Sequence, residues 1–220
     1  MTTVREWQWP AAIVEQMADG LVEQGFYLAE DAVPHELCLA LLAEVEHLNQ
    51  VGEMRKAGIG RGDELQIQRE IRRDKIKWLD GSSAAQQAYL QGMARLQSEL
   101  NRALFLGLFE YEAHFALYQP GDFYKKHRDS FKGRANRILT TVLYLNPEWD
   151  SQWGGELVLF PDDESDTKVL AQYTPKIGRL AIFMSETVPH EVLPTQQARV
   201  SIAGWFRLNT SLGGQIDPAK

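Results

Sequence analysis

The stretch Ala198-Arg199-Val200-Ser201-Ile202-Ala203-Gly204-Trp205-Phe206 alternates along its length. In an extended chain side chains two apart share a face. Arg199, Ser201, Ala203 and Trp205 therefore fall on one side, and Val200, Ile202 and Phe206 on the other. The second set reads as a core face. The first is odd for a plain core, because burying an arginine among small residues is costly unless an anion meets it. A planar guanidinium can clamp a carboxylate through two parallel hydrogen bonds, and Ser201 and Ala203 leave room for a glutarate-sized diacid beside it. The competing reading is an arginine that reaches back to solvent at a strand start.

Upstream of this strand, further short β-type runs occupy 112–118, 137–145, 156–160 and 179–183, separated by turn sequences such as Gln119-Pro-Gly-Asp122 and Trp153-Gly-Gly155. The first half has a different texture. Residues 13–21 read as an amphipathic helix, 25–29 as a strand, and Pro34 opens a second helix with Glu36 in its first turn. In that helix Leu37, Leu39, Leu41, Leu42, Val45 and Leu48 recur at helical spacing. Residues 75–79 alternate like a strand, and 83–108 read as a long helix capped by Ser83. Residues 51–66 lose all periodicity and are rich in glycine and charge, as a functional loop would be. Helices first and strands second predict a mainly β fold with a helical buttress, built as a double-sheet roll. We expect 1–108 to buttress the roll, 109–210 to form its core, and 211–220 to be a loose tail.

The chain has 220 residues, 44% of them hydrophobic and 24% charged, which fits one ordinary globular domain. A net charge of −7 argues against general nucleic-acid binding. The charge is uneven: basic residues gather in 69–77 and 125–137, where a positive rim or a mixed solvated surface would result. No apolar run is long enough for a membrane span, and the opening residues lack the pattern of a secretory signal, so a cytoplasmic location is expected. Cys38 is the only cysteine, which rules out an internal disulfide and a thiolate zinc site; it reads as a small buried hydrophobe.

His127-Arg128-Asp129 is the sharpest short feature. If extended, it sets an imidazole and a carboxylate on one face. His190 supplies a third donor in Val188-Pro-His-Glu-Val192. Two imidazoles and one carboxylate form the facial triad of non-haem iron, which leaves the opposite coordination positions open. A zinc hydrolase with the same ligands remains an alternative, as does a solvated histidine at 127 with a turn histidine at 190.

Together these residues resemble the 2-oxoglutarate-dependent prolyl hydroxylases, typified by the enzymes that modify hypoxia-inducible factor and by their bacterial relatives. The matching string runs through Tyr118-Gln-Pro-Gly121, Tyr124-Lys-Lys-His-Arg-Asp129, Tyr144-Leu-Asn-Pro-Glu-Trp-Asp150, Gly154-Gly-Glu-Leu157, Arg179-Leu-Ala-Ile-Phe183, Pro189-His-Glu-Val192 and the strand from Arg199 to Trp205, with Ile71-Arg-Arg-Asp-Lys-Ile-Lys-Trp78 upstream. The resemblance implies a double-stranded β-helix, the cupin-like jelly roll, with iron(II) held by His127, Asp129 and His190. It implies that Arg199 and Tyr144 grip the far carboxylate of 2-oxoglutarate, with Tyr118 beside it and Trp205 lining the pocket. It also puts Tyr124 on the substrate side, pairs Arg137 with Asp74, and makes 51–73 the loop that covers the substrate. Ala203 departs from the family's animal members, which have a hydroxyl-bearing residue there. The basic surround of His127 is a second departure.

The implied activity consumes dioxygen and 2-oxoglutarate, with ascorbate as a candidate reductant, releases succinate and carbon dioxide, and hydroxylates a prolyl residue of a protein. Elongation factor Tu, an acidic partner suited to a basic rim, is the candidate substrate among bacterial relatives. The alternatives are hydroxylation of a free amino acid or small metabolite, and a barrel that binds or senses without turnover.

Overall fold

The computed structural model describes residues 7–58, 68, 70–130, 136–162 and 168–209. Among the described residues three α-helices precede most of the strands: α1 (Ala11–Glu23), α2 (His35–Gln50) and α3 (Ala84–Leu104). The strands are β1 (Phe26–Ala29), β2 (Arg55–Lys56), β3 (Lys75–Trp78), β4 (Leu108–Tyr118), β5 (Tyr124–His127), β6 (Arg137–Tyr144), β7 (Leu157–Leu159), β8 (Ala171–Tyr173), β9 (Leu180–Met184), β10 (His190–Val192) and β11 (Arg199–Leu208). They form a seven-stranded sheet in the order β1-β9-β6-β11-β4-β3-β2 and a four-stranded sheet in the order β5-β10-β7-β8. Every named strand pairing is antiparallel, and the two sheets face each other as the predicted jelly roll.

The alternation read in β11 separates two cores. Val200, Ile202 and Phe206 join Phe115, Leu117, Leu143 and Ile182 on the outer face of the large sheet, against Leu21, Leu37, Leu41, Met93 and Leu96 of the helices. On the inner face, Ala116, Tyr118, Val142, Tyr144, Ala181 and Phe183 meet Leu157, Leu159 and Val192 of the small sheet. The helices thus seal one face of the large sheet and leave the other to enclose a site. β11 lies at the centre, hydrogen-bonded to both β4 and β6, so Arg199 and Ser201 sit on an element with little freedom to shift.

Local signals placed the helices well. Ser83 caps α3 by accepting the Gln86 N–H at 3.0 Å, a contact worth about 1 kcal/mol. The helix ends four residues earlier than its predicted end at 108, because Phe105 turns into the left-handed region at φ 53° and the chain enters β4 at Leu108. Inside the stretch expected to be loop, Arg55 and Lys56 pair with β3. The rest of that loop at 59–67 and 69, part of the basic run at 131–135, and the expected tail lie outside the described residues. Among the described residues no helix is long and apolar enough to cross a membrane.

Candidate active site

β5 and β10 are neighbours in the small sheet, and their pairing sets His127 directly opposite His190. β5 ends at His127 and the chain bends, which swings Asp129 inward between the two imidazoles. Asp129 Oδ1 lies 3.5 Å from His127 Nε2, and Asp129 Oδ2 lies 3.5 Å from His190 Nε2. One donor atom from each of the three residues falls within 4.8 Å of the others. The ring nitrogens away from this centre face backbone carbonyls, His127 Nδ1 at 2.8 Å from Lys125 O and His190 Nδ1 at 3.3 Å from Val188 O. A nitrogen facing a carbonyl carries the proton, so both Nε2 lone pairs are left for a metal.

Neighbouring groups hold this geometry. The Tyr124 ring stacks on His127 at 3.5 Å and 14°, and Phe183 meets His190 edge-on at 4.7 Å. Thr140 donates to Asp129 Oδ2 at 2.8 Å and shares a hydrogen bond of 2.9 Å with Ser185. Burial pushes the Asp129 carboxyl up, but His190, His127 and Arg137 outweigh it and hold the group well below the usual carboxylate range. Burial pushes His190 down to about 4, with His127 adding and Asp129 opposing. At neutral pH Asp129 is therefore anionic and His190 neutral, the protonation of these two ligands that a divalent metal requires.

Arg199 lies on the large sheet, which faces the small one, and is 1% exposed. Its Nε donates to Gly155 O at 2.7 Å and one terminal nitrogen to Ser201 Oγ at 3.1 Å. The other terminal nitrogen has no hydrogen-bond partner among the described residues, and neither does the buried Tyr144 hydroxyl. The guanidinium lies 4.9 Å from the Tyr118 ring centre and 5.2 Å from that of Tyr144. Burial pushes the Tyr144 phenol up to about 12, so it stays a neutral donor. A buried guanidinium with a spare N–H beside a spare phenolic O–H is an unfilled carboxylate receptor. The donor set thus fits both groups: a divalent metal with open positions, and the far carboxylate of a 2-oxo diacid.

The remaining site residues fall at the other end of the inner face. Trp205 pairs in register with Thr140 and carries the Arg137 guanidinium 3.7 Å from its ring centre. His114 and the partly exposed Trp78 complete an aromatic wall there. Trp205 therefore sits with Arg137, whereas Tyr118 and Tyr144 sit with Arg199. The expected Arg137–Asp74 pair is not formed. Arg137 bonds to Glu112 at 2.7 and 2.8 Å, and the buried Asp74 accepts from Arg72 Nε at 2.8 Å and from one of its terminal nitrogens at 2.7 Å. Arg72 stands two positions from Asp74 in an extended chain, on the same face, so it reaches the carboxylate at little entropic cost. Its guanidinium also lies 4.4 Å from the Tyr124 ring centre, and Tyr124 in turn covers His127. Thr140, Ser185 and the Gly155 carbonyl were not singled out from sequence; the Gly154-Gly155 pair was the one visible signal for the last.

A double-sheet roll with two histidines and an aspartate around one centre on the small sheet, and a buried arginine on the large sheet that faces it, has the make-up of a non-haem metal oxygenase. The comparisons agree with this class. The model of the 2OG-Fe(II) oxygenase superfamily matches residues 113–207. A crystal structure of a Pseudomonas putida prolyl-4-hydroxylase is similar at 37% identity and a TM-score of 0.81, over 89% of this chain and 99% of that one. A prolyl hydroxylase from Trichoplax adhaerens, solved in complex with a hypoxia-inducible factor oxygen degradation domain peptide fragment, is similar at 27% identity and a TM-score of 0.76, over 89% of each chain. Egl nine homolog 1 of Homo sapiens is 27% identical over 88% of this chain and 46% of its own length. The rat counterpart is covered over 58%, so the chain spans about half the length of these curated relatives. The chain belongs to the 2OG-Fe(II) oxygenase superfamily, whose members use iron(II), 2-oxoglutarate and dioxygen. That membership answers the zinc-hydrolase alternative.

Proposed function

We propose that the chain is a prolyl hydroxylase acting on a protein substrate. Two features support it: unpartnered Arg199 and Tyr144 donors on the large sheet, with the histidine–aspartate centre on the small sheet that faces it, and likeness to proteins titled prolyl hydroxylases, one of them holding a peptide. His127, Asp129 and His190 would hold iron(II), and Arg199 with the Tyr144 hydroxyl would hold the distal carboxylate of 2-oxoglutarate. The bound metal and co-substrate supply the oxidising power for C–H hydroxylation, with succinate and carbon dioxide leaving. The chain's own part is placement. Phe183, Leu159 and Val192 keep the inner face apolar and exclude water. Thr140 and Ser185 fix the Asp129 carboxylate, and the Lys125 and Val188 carbonyls fix the imidazoles. No protein base is required by this chemistry.

The substrate side is the wall of Trp78, His114, Trp205 and Arg137. Trp78 is 40% exposed at its edge, where an extended peptide could lie against it. Lys125 and Lys126 of the metal-bearing segment give this side a basic character suited to an acidic partner, whereas the charge of Arg128 is met by Asp162 at 2.5 Å. Elongation factor Tu is the partner to try first. With iron(II) and 2-oxoglutarate, the purified chain should add one oxygen atom to a proline of the factor, read by peptide mass spectrometry. His127→Ala and Asp129→Ala should abolish both that product and succinate release. An unmodified factor would remove this substrate, and absence of succinate formation with every prolyl peptide tried would remove the hydroxylase reading.

A further inference from the structure

We propose that Trp149 positions the 2-oxoglutarate clamp by holding the Gly154-Gly155 turn whose carbonyl orients Arg199. This rests on the reading of Arg199 as the receptor of the distal carboxylate. Arg199 can turn about its own Nε, and a receptor that turns loses its aim. The Gly155 carbonyl, 2.7 Å from Nε–H, stops that rotation and directs the unpartnered terminal nitrogen into the pocket.

The turn that carries this carbonyl is itself held by two hydrogen bonds. Gly154 and Gly155 both have positive φ, 68° and 73°, a conformation that glycine adopts without strain. The Trp149 indole N–H donates to Gly154 O at 2.9 Å, and Gly155 N–H donates to Pro194 O at 3.2 Å. The fit is close enough to exclude a side chain. A Cβ at Gly155 would come within 3.0 Å of the Trp149 ring and 3.1 Å of Thr195, and one at Gly154 would lie 2.3 Å from Pro194 O. Trp149 is 9% exposed and packs edge-on against Trp153 at 5.6 Å, so its ring is fixed in turn. The chain of contact runs from the loop after β6, through the turn before β7, to the first residue of β11. Trp149 does not touch the co-substrate. It acts through Arg199, and only on the end of the ligand that Arg199 holds.

The test compares two ligands by calorimetry on the Mn(II)-loaded protein: 2-oxoglutarate, and 2-oxobutyrate, which keeps the chelating end and lacks the distal carboxylate. Trp149→Phe should weaken 2-oxoglutarate about fivefold, the loss of one neutral hydrogen bond, and leave 2-oxobutyrate unchanged. The KM for 2-oxoglutarate should rise in parallel, with kcat at saturation retained. If the phenylalanine variant does not fold, Trp149→Tyr is measured against the same split. Equal weakening of both ligands, or no weakening of either, overturns the proposal. Arg199→Leu serves as the control for the underlying reading. If it leaves the preference for the diacid intact, the receptor assignment fails; if it abolishes the preference while the Trp149 variants do not alter it, only the positioning role fails.

Discussion

Two buried arginines, Arg72 and Arg199, meet opposite circumstances. Arg72 is locked to Asp74 by two hydrogen bonds, and its charge is answered inside the fold. Arg199 is held by a carbonyl and a hydroxyl, and among the described residues no carboxylate pairs with it. The first arrangement ties the end of the loop segment to β5, with backbone bonds from Arg73 to Phe123 and from Lys125 to Ile71 closing the junction. The second leaves a buried charge waiting for an anion. The contrast teaches how structure and recognition are told apart: a satisfied buried pair builds the scaffold, and an unsatisfied donor set marks a ligand.

The sharpest way to break this comparison is to remove each guanidinium in turn. Arg199→Leu should lower 2-oxoglutarate affinity by about a hundredfold or more, as expected when one partner of a buried charge pair is truncated, measured by titration of the metal-loaded protein. Its unfolding free energy should change by no more than about 1 kcal/mol, since the hydrogen bonds lost to Gly155 O and Ser201 Oγ are offset by removal of a buried charge that pairs with no carboxylate among the described residues. Arg72→Leu should do the reverse. It strands Asp74 and should cost about 3–5 kcal/mol in denaturant unfolding, with the loss largely recovered in the double variant Arg72→Leu/Asp74→Leu. Equal stability losses for the two single variants would dissolve the distinction.

A finer test uses His114, buried between Trp78 and Trp205 in the same wall. Burial, and then Arg72, push its imidazole down to about 4, below an ordinary value near 6.5. The unfolded chain therefore binds the proton first. Stability is retained above about pH 6.5 and falls as pH drops toward 4, by up to about 3 kcal/mol from this group. His114→Met should flatten unfolding free energy across that window, and an unchanged pH profile would show that His114 is not the group responsible. The smallest effect belongs to the helical buttress, far from both arginines: Ser83→Ala should cost about 1 kcal/mol by uncapping α3, with 2-oxoglutarate affinity unaltered.

The parts of this molecule legible in the sequence are those where residue chemistry is scarce or periodicity is long. His127, Asp129 and His190 are a weak pattern by themselves, and they became legible through Arg199 and the ordered motif string around them. Arg199 stood out because strand alternation set it among small residues. β5, β8 and β10 contain only three or four residues each, too short for a period of two to declare itself, so neither β8 nor β10 was marked as a strand. The end of α3 was misjudged because Leu106 and Leu108 continue the apolar pattern after the backbone has turned at Phe105. The Arg137–Asp74 pairing failed for another reason. Motif position pointed to Arg137 alone, and that Arg72 reaches the carboxylate first depends on a distance that a linear pattern does not contain. Backbone carbonyls such as that of Gly155 have no letter in the sequence at all.

Cys38 has a consequence for handling the protein. Its side chain is fully buried beneath α2, with Sγ 3.8 Å from Val33 O, and burial pushes the thiol up to about 12. A protein that meets dioxygen as a reactant thus keeps its single sulfhydryl protonated and out of reach of oxidants. Alkylation of that one atom requires the helical layer to lift from the sheet, so the rate of labelling serves as a built-in clock for opening of the buttress, readable without any introduced probe.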